Sequence, residues 1–166
     1  NPTLSEKNIT KKTIFVIEAS SYQLDYSKIF KSKYAVILNI TPDHLERHKS
    51  LKNYVDAKFK LLKSQSKGSF AYVKKDDELI KKKINKCKYK AKIYKVQTSN
   101  FDKKFTQITN KYFISDGNKE NLLFILKIAS KLKLDKKKLI KSINKFKGLD
   151  YRQQIIFDKK NLTIIN

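Results

Sequence analysis

Residues 34–40, YAVILNI, are the stretch that decides the fold. Their apolar and largely β-branched side chains do not alternate with polar ones, which is typical of a strand buried on both faces. Residues 13–19, TIFVIEA, have the same pattern and are predicted to form a preceding strand. Strands of this kind belong to parallel sheets that helices cover on both sides. The sequence therefore predicts an α/β fold.

The segments that follow alternate between helix and strand patterns. Ser50 and Asp135 stand directly before two of the helical patterns, where their side chains can cap the first turn. No internal repeat or Pro-rich linker divides the chain, so one domain is the simplest count. Helices are expected over 24–33, 50–64, 76–85, 118–133 and 135–146, and further strands over 68–74 and 91–96.

Two segments have hairpin patterns. Residues 104–115 are predicted to turn at Asn110 and Lys111, and residues 153–166 to form two strands around a turn at 158–161. The expected architecture is thus a mostly parallel sheet flanked by helices, with a small antiparallel hairpin.

The charge of the chain is strongly basic, with a formal net charge of +24 over 166 residues. Only Arg47 and Arg152 are arginines, and the lysines are spread along the whole chain. Specific recognition of bases and phosphates favours arginine forks and clustered aromatic rings, and neither pattern is visible. A lysine-rich solvated surface is therefore the preferred interpretation, and a basic nucleic-acid-binding domain is the alternative.

The chain has one cysteine, Cys87, which excludes a disulfide framework and a cysteine-based metal cluster. A reducing compartment such as the cytoplasm is expected. The longest apolar stretches are shorter than the roughly 20 residues that span a bilayer, so no membrane association is expected.

Polar clusters follow the first two predicted strands. Glu18 to Gln23 come after the first, and Asn39 to His48 after the second. Ligands gather beyond the carboxyl ends of parallel strands, so Glu18 and His44 are expected to face one another there. A carboxylate and an imidazole are suitable ligands for a divalent ion. The competing interpretation is that Glu18 caps the next helix and His44 caps a loop.

Lys58 is predicted to lie close to the apolar stripe of its helix, on the face that includes Val55 and Leu62. Burial lowers the pKa of a lysine and makes its amine available as a nucleophile. The more common outcome is that such a side chain extends its charged end to water.

Three motifs in this order resemble the central domain of the Mur ligases. They are residues 17–25, IEASSYQLD, then residues 35–48, AVILNITPDHLERH, then residues 54–62, YVDAKFKLL. Two later motifs of the family are resembled by residues 117–123, GNKENLL, and 146–154, FKGLDYRQQ. Two histidines of these motifs are missing: none precedes Asn118, and Tyr151 stands where a second histidine is common. The resemblance covers residues 14–166.

The resemblance implies an ATP-dependent, amide-forming ligase of peptidoglycan precursor synthesis that acts through an acyl phosphate. The Ser-Ser-Tyr-Gln-Leu form is similar to members that add D-glutamate to UDP-N-acetylmuramoyl-L-alanine. Another Mur ligase or a folylpolyglutamate synthetase-like enzyme is the alternative within the same chemistry. A monomer with small-molecule partners and no specific nucleic acid is expected.

The resemblance also implies roles for individual residues. Glu18, His44 and Lys58 match the residues that hold Mg²⁺, with Lys58 carbamylated by CO₂. Ser20 and Gln23 match positions in the muramoyl-alanine site. The residues that match ATP-binding positions are Asn118, Asn121 and Arg152.

Residues 1–166 are accordingly expected to be a partial central, ATP-binding domain. The UDP-binding amino-terminal domain, the glycine-rich phosphate loop and the carboxyl-terminal domain of the family have no counterpart in this sequence. The chain is expected to be inactive by itself.

Overall fold

A three-stranded parallel sheet is the centre of the fold in the computed structural model, which describes residues 7–99, 107–148, 155–159 and 162–165. The strands stand side by side in chain order, and each crossover contains at least one helix. The predicted α/β class with a mostly parallel sheet is confirmed. The elements are α1 (Ser21–Tyr26), β1 (Tyr34–Ile37), α2 (Leu45–His48), α3 (Leu51–Lys63), β2 (Phe70–Lys74), α4 (Glu78–Lys86), β3 (Lys92–Val96), α5 (Asp116–Lys131), α6 (Lys136–Lys145), β4 (Ile155–Lys159) and β5 (Leu162–Ile165), with a 3-10 helix at Lys111–Phe113.

One face of the sheet packs against α3 and α4. Side chains that alternate along β1 and β2 point into this layer and meet the apolar stripe of α3, while Ile80 contributes from α4. Phe59 and Leu62 are fully buried there, as the predicted helical face requires. This burial is the main stabilisation of the layer, because it removes large apolar surfaces from water. The buried members are Ala35, Ile37, Ile40, Tyr54, Val55, Phe59, Leu62, Ala71, Val73 and Ile80.

The opposite face of the sheet packs against α5. Tyr72 and Val96 point towards Leu123 and Phe124, and all four side chains are buried. Helices therefore cover both faces, which explains why β1 and the first four residues of β2 are apolar instead of alternating. A third cluster, formed by Phe113, Leu122 and Ile143, joins α5 to α6 and to the 3-10 helix.

The predicted first strand is wrong in this structure. Residues 13–19 adopt neither helix nor strand, and their apolar side chains face solvent, with Val16 96% exposed. A strand needs a hydrogen-bonding neighbour along its edge, and an apolar sequence does not supply one. Among the described residues β1 pairs with β2 alone.

The predicted helix over 24–33 begins earlier and is shorter. Ser20 and Gln23 form a reciprocal capping box, which starts α1 at Ser21. The helix ends at Tyr26, and Ser27 is extended. The other predicted N-caps are confirmed, since Ser50 accepts from the backbone N–H of Asn53 and Asp135 accepts from that of Lys138.

The hairpin predicted over 104–115 is not found in its described part, residues 107–115. Asn110 instead caps the 3-10 helix by accepting from the N–H of Tyr112, and its Nδ2 donates to the carbonyl oxygens of Ile143 and Phe146, each at 2.7 Å. An asparagine that satisfies backbone groups in this way favours a cap over a two-residue turn.

The carboxyl-terminal hairpin is confirmed. Strands β4 and β5 pair antiparallel, but β4 extends to Lys159, so the first two residues of the turn predicted at 158–161 belong to the strand. The described helices include none with the length and apolar character needed to cross a bilayer.

Candidate functional site

Ser20 and Gln23, which were predicted to line a substrate site, define the beginning of α1. The backbone N–H of Ser20 donates to Gln23 Oε1 at 2.8 Å, and the N–H of Gln23 donates to Ser20 Oγ at 3.2 Å. Both residues are exposed. The capping box thus holds two polar side chains in defined positions at the surface, next to Ser21 and Tyr22.

His44 lies in the loop that leaves β1 and is the N-cap residue of α2. Its backbone is left-handed, with φ of 53°, an uncommon conformation for a residue with a side chain. The imidazole is exposed, 3.3 Å from a carboxylate oxygen of Asp43 and 3.9 Å from one of Glu46. The alternative in which His44 caps a loop by its side chain is not found, because no side-chain cap hydrogen bond forms.

The loop before His44 is attached to the body of the domain through Asp77. One carboxylate oxygen of Asp77 accepts from the N–H of Ile40 at 2.8 Å, and the other accepts from the N–H of Ile80 at 3.0 Å. The same side chain therefore caps α4 and holds the backbone at the carboxyl end of β1. Two separate elements are positioned by one residue.

A row of aromatic rings connects His44 to Lys58, with members at α1, α2 and α3. Tyr22 of α1 lies between the two histidines, with centroids 4.9 Å from His44 and 5.4 Å from His48. The ring of His48 is in turn 5.4 Å from that of Tyr54 on α3. Nζ of Lys58 lies 5.0 Å from the centroid of Tyr54. We call His44, Tyr22, His48, Tyr54 and Lys58 the ring row.

The spacing of the ring row follows from helix geometry. Tyr54 and Lys58 are separated by four residues on α3 and share one helical face. His44 precedes α2 as its N-cap, and its carbonyl oxygen accepts from the N–H of His48, four residues later. Sequence analysis missed Tyr22, His48 and Tyr54 as members of the site. The four-residue spacing to His44 and to Lys58 was a signal for His48 and Tyr54, whereas Tyr22 joins the row through the packing of α1.

The environment of Tyr22 makes its phenol harder to ionise. Desolvation raises the pKa of this phenol, and the carboxylates of Glu46 and Asp43 raise it further. Tyr22 is therefore a neutral ring beside His44 at pH 7.

Lys58 is half-buried on α3, as its position near the apolar stripe predicted. Its amine lies over the ring of Tyr54, where a cation is attracted by the negative ring face. The other lysines of this helix differ. Lys52 has 83% of its side chain exposed, and Lys60 donates to the carboxylate of Asp25.

Glu18 is exposed and lies two residues before the N-cap of α1. The expectation that it ends a buried strand is wrong, because residues 13–19 are not in the sheet. The structure therefore does not place Glu18 and His44 at adjacent strand ends.

The predicted metal ligands can be compared with the ligands that a hard cation such as Mg²⁺ requires. In the described ranges no group of three or more His, Cys, Asp or Glu side chains could hold a metal ion. Magnesium differs from structural metals because it is held by one or two carboxylates together with waters and substrate phosphates. Glu18 supplies a carboxylate of this kind, and His44 supplies an imidazole with the carboxylates of Asp43 and Glu46 close to it.

The predicted nucleotide residues divide into three cases. Asn118 is buried at the start of α5, and its Nδ2 donates to the carbonyl of Tyr112 at 2.8 Å. Asn121 follows on the same helix and is exposed. Arg152 lies outside the described residues.

Between the two asparagines, Glu120 accepts from Lys74 Nζ at 2.6 Å and joins α5 to the carboxyl end of β2.

Comparison with known proteins gives a consistent result. The family model described as the Mur ligase middle domain matches residues 1–140. The UDP-N-acetylmuramoylalanine–D-glutamate ligases of Rickettsia bellii and Fusobacterium nucleatum are each 32% identical to the chain, over 99% of it and 41% of the relative. That of Clostridioides difficile is 29% identical over 100% of the chain and 41% of the relative.

The chain spans about two fifths of the length of these relatives, with 41% of each covered. The family model extends over most of the sequence, from residue 1 to residue 140, and so over all three strands of the parallel sheet. The chain belongs to the Mur ligase family.

Proposed function

We propose that this chain is the ATP-binding middle domain of a ligase that adds D-glutamate to UDP-N-acetylmuramoyl-L-alanine, a step of peptidoglycan precursor synthesis in the cytoplasm. The observation that carries the proposal is the 32% identity to a D-glutamate ligase over 99% of the chain. The Ser-Ser-Tyr-Gln-Leu sequence at residues 20–24 supports it, since this form is similar to that of the D-glutamate-adding members.

The reaction joins a carboxylate to an amine in two steps. The alanyl carboxylate of the acceptor attacks the γ-phosphate of ATP, which gives an acyl phosphate and ADP. The amine of D-glutamate then attacks the acyl carbon and displaces phosphate. Because two anions must approach each other in the first step, positioning and charge neutralisation supply most of the catalysis.

The chain contributes groups for both substrates. Ser20 and Gln23, held by the capping box, are assigned to the muramoyl-alanine substrate. Asn118 and Asn121 at the start of α5 are assigned to the adenine, and Arg152 to the nucleotide. Lys74 and Glu120 keep α5 against β2, which supports the placement of the asparagines.

Three residues are assigned to magnesium, namely Glu18, His44 and Lys58, the last as a carbamate. When bound, magnesium supplies the positive charge that the phosphates and the acyl carboxylate require. Lys58 is half-buried on α3, and carbamylation would give its side chain the anionic oxygens that a hard cation binds. The carboxylates of Asp43 and Glu46 beside His44 add negative charge to the same loop.

The test is a ligation assay with the full-length protein, ATP, Mg²⁺, D-glutamate and UDP-N-acetylmuramoyl-L-alanine. Product and ADP are expected in equal amounts. Pteroyl-glutamate acceptors and other amino acids are tested in parallel. Preference for one of these would assign the chain to a sister ligase and contradict the proposal.

Variants test the residue assignments in the same assay. Lys58→Ala is expected to abolish most turnover with the fold intact, and Lys52→Ala, on an exposed position of the same helix, to leave it unchanged. His44→Ala is expected to lose most of its rate and to require more Mg²⁺. Normal turnover by Lys58→Ala would refute the carbamate assignment.

A further inference from the structure

His48 is a buried histidine to which the proposed reaction gives no role. It is 7% exposed, at the end of α2, and both neighbouring helices contact it. We propose that His48 is a positioning residue that holds the Ser20–Gln23 segment of α1 in place for the muramoyl-alanine substrate. The inference rests on the proposed function and adds a residue that fixes the geometry of its acceptor site.

The first observation is a buried hydrogen bond between α2 and α1. Nε2 of His48 lies 3.0 Å from Oγ of Ser21, whose side chain is also buried, at 4% exposure. Ser21 stands between the two residues of the capping box. A buried polar pair of this kind has no water to replace a lost partner, so the bond constrains the position of Ser21 strongly.

The second observation is the stacking of rings on both sides of the imidazole. Tyr22 of α1 lies parallel to His48, at an interplanar angle of 7°, and Tyr54 of α3 is tilted against it at 59°. The backbone of His48 is fixed as well, because its carbonyl oxygen accepts from Asn53 Nδ2 at 2.9 Å. His48 is therefore anchored to α3 and presents its ring and Nε2 to α1.

The third observation is that α1 is too short to keep its position unaided. It has six residues, and an isolated helix of that length is not stable in water. Its carboxyl-terminal half is held by Lys60, which donates to both the carbonyl and the carboxylate of Asp25. Its amino-terminal half, where Ser20 and Gln23 lie, is held through Ser21 and Tyr22 by His48.

Removal of the His48 ring should therefore displace the acceptor segment more than the nucleotide site. Asn118 and Asn121 belong to α5, which packs on the opposite face of the sheet. The expected kinetic signature is a change in the KM for the acceptor without a matching change in the KM for ATP. A general loss of stability would not separate the two substrates in this way.

The experiment compares three variants with the full-length wild-type protein. His48→Ala is expected to raise the KM for UDP-N-acetylmuramoyl-L-alanine about tenfold and the KM for ATP less than about twofold. His48→Gln, whose amide can reach Ser21, is expected to recover part of the loss. The control is Gln65→Ala, which removes a buried side chain and its two hydrogen bonds to the carbonyl oxygens of Ser32 and Phe70, and is expected to lower Tm with both KM values unchanged.

Amide hydrogen exchange gives a readout that does not depend on ligation. Exchange in residues 21–26 is expected to accelerate in His48→Ala and not in Gln65→Ala. Equal rises of both KM values, or unchanged exchange in α1, would overturn the inference. Wild-type protein that ligates no acceptor would instead refute the proposed function and the acceptor role with it, while faster exchange in α1 would still show that His48 positions this helix.

Discussion

Asp77 offers a sharp test of how the loop that bears His44 is positioned. Its two carboxylate oxygens accept from the N–H groups of Ile40 and Ile80, at 2.8 and 3.0 Å. Replacement by alanine removes the cap of α4, which costs about 1 kcal/mol. It also leaves the N–H of Ile40 without this acceptor in a partly buried position, at a further cost of about 1–2 kcal/mol.

The expected destabilisation of Asp77→Ala is therefore about 2–3 kcal/mol, measured by urea unfolding at pH 7. Asp77→Asn keeps one acceptor oxygen and is expected to lose about half as much. Asp76→Ala is the matched control, since its exposed carboxylate accepts from Gln97 Nε2 at 2.8 Å and does not cap α4. A loss for Asp77→Ala no larger than that for Asp76→Ala would refute the assigned role.

The remaining predictions concern packing and charge. Phe59→Ala is expected to cost about 3–5 kcal/mol in urea unfolding, because the ring is fully buried, and a loss below 1 kcal/mol would contradict this. The hydrogen bond from Lys83 lowers the pKa of Asp56 below its ordinary 3.8. The contribution of this ion pair to the free energy of unfolding, at most about 1 kcal/mol after screening by solvent, is therefore present above pH 3.8 and is lost as the pH falls below it. The free energy of unfolding of Asp56→Asn should therefore fall less than that of wild type as the pH is lowered below about 4. A double-mutant cycle on Lys74 and Glu120 should give a coupling of about 1 kcal/mol, and zero coupling would show that the pair is not stabilising.

Most of the layered core was predictable because local pattern and tertiary burial agree. The non-alternating apolar residues of β1 and β2 face helices on both sides, and the helical stripe of α3 packs against them. Caps were predictable for the same reason, since Ser50 and Asp135 satisfy backbone N–H groups of their own first turns. Such signals depend only on residues close in sequence.

Two errors came from interactions between distant segments. Residues 13–19 have the composition of a buried strand, but the apolar pattern does not specify the neighbour with which a strand must pair. Asn110 has the composition of a turn, but its side chain meets the carbonyls of Ile143 and Phe146 at the end of α6. No local pattern indicates a partner more than thirty residues away.

The candidate site was predictable only in part. The half-buried position of Lys58 followed from helical periodicity, and the loop position of His44 from the end of β1. The contribution of Tyr22, His48 and Tyr54 was missed, because the ring row depends on how α1 and α2 pack against α3. The roles of all the predicted site residues remain predictions from the family, namely those of Glu18, Ser20, Gln23, His44, Lys58, Asn118, Asn121 and Arg152.

The proposed mechanism depends on the carbamylation of Lys58, which would make it an anionic oxygen ligand for magnesium together with Glu18 and His44. Carbon-13 NMR of the active full-length protein equilibrated with ¹³C-bicarbonate tests this directly. A protein-bound carbamate resonance is expected in wild type and in Lys52→Arg, and its loss together with ligase activity is expected in Lys58→Arg. A fully active wild-type protein without this resonance, or a resonance that persists in Lys58→Arg, would contradict it.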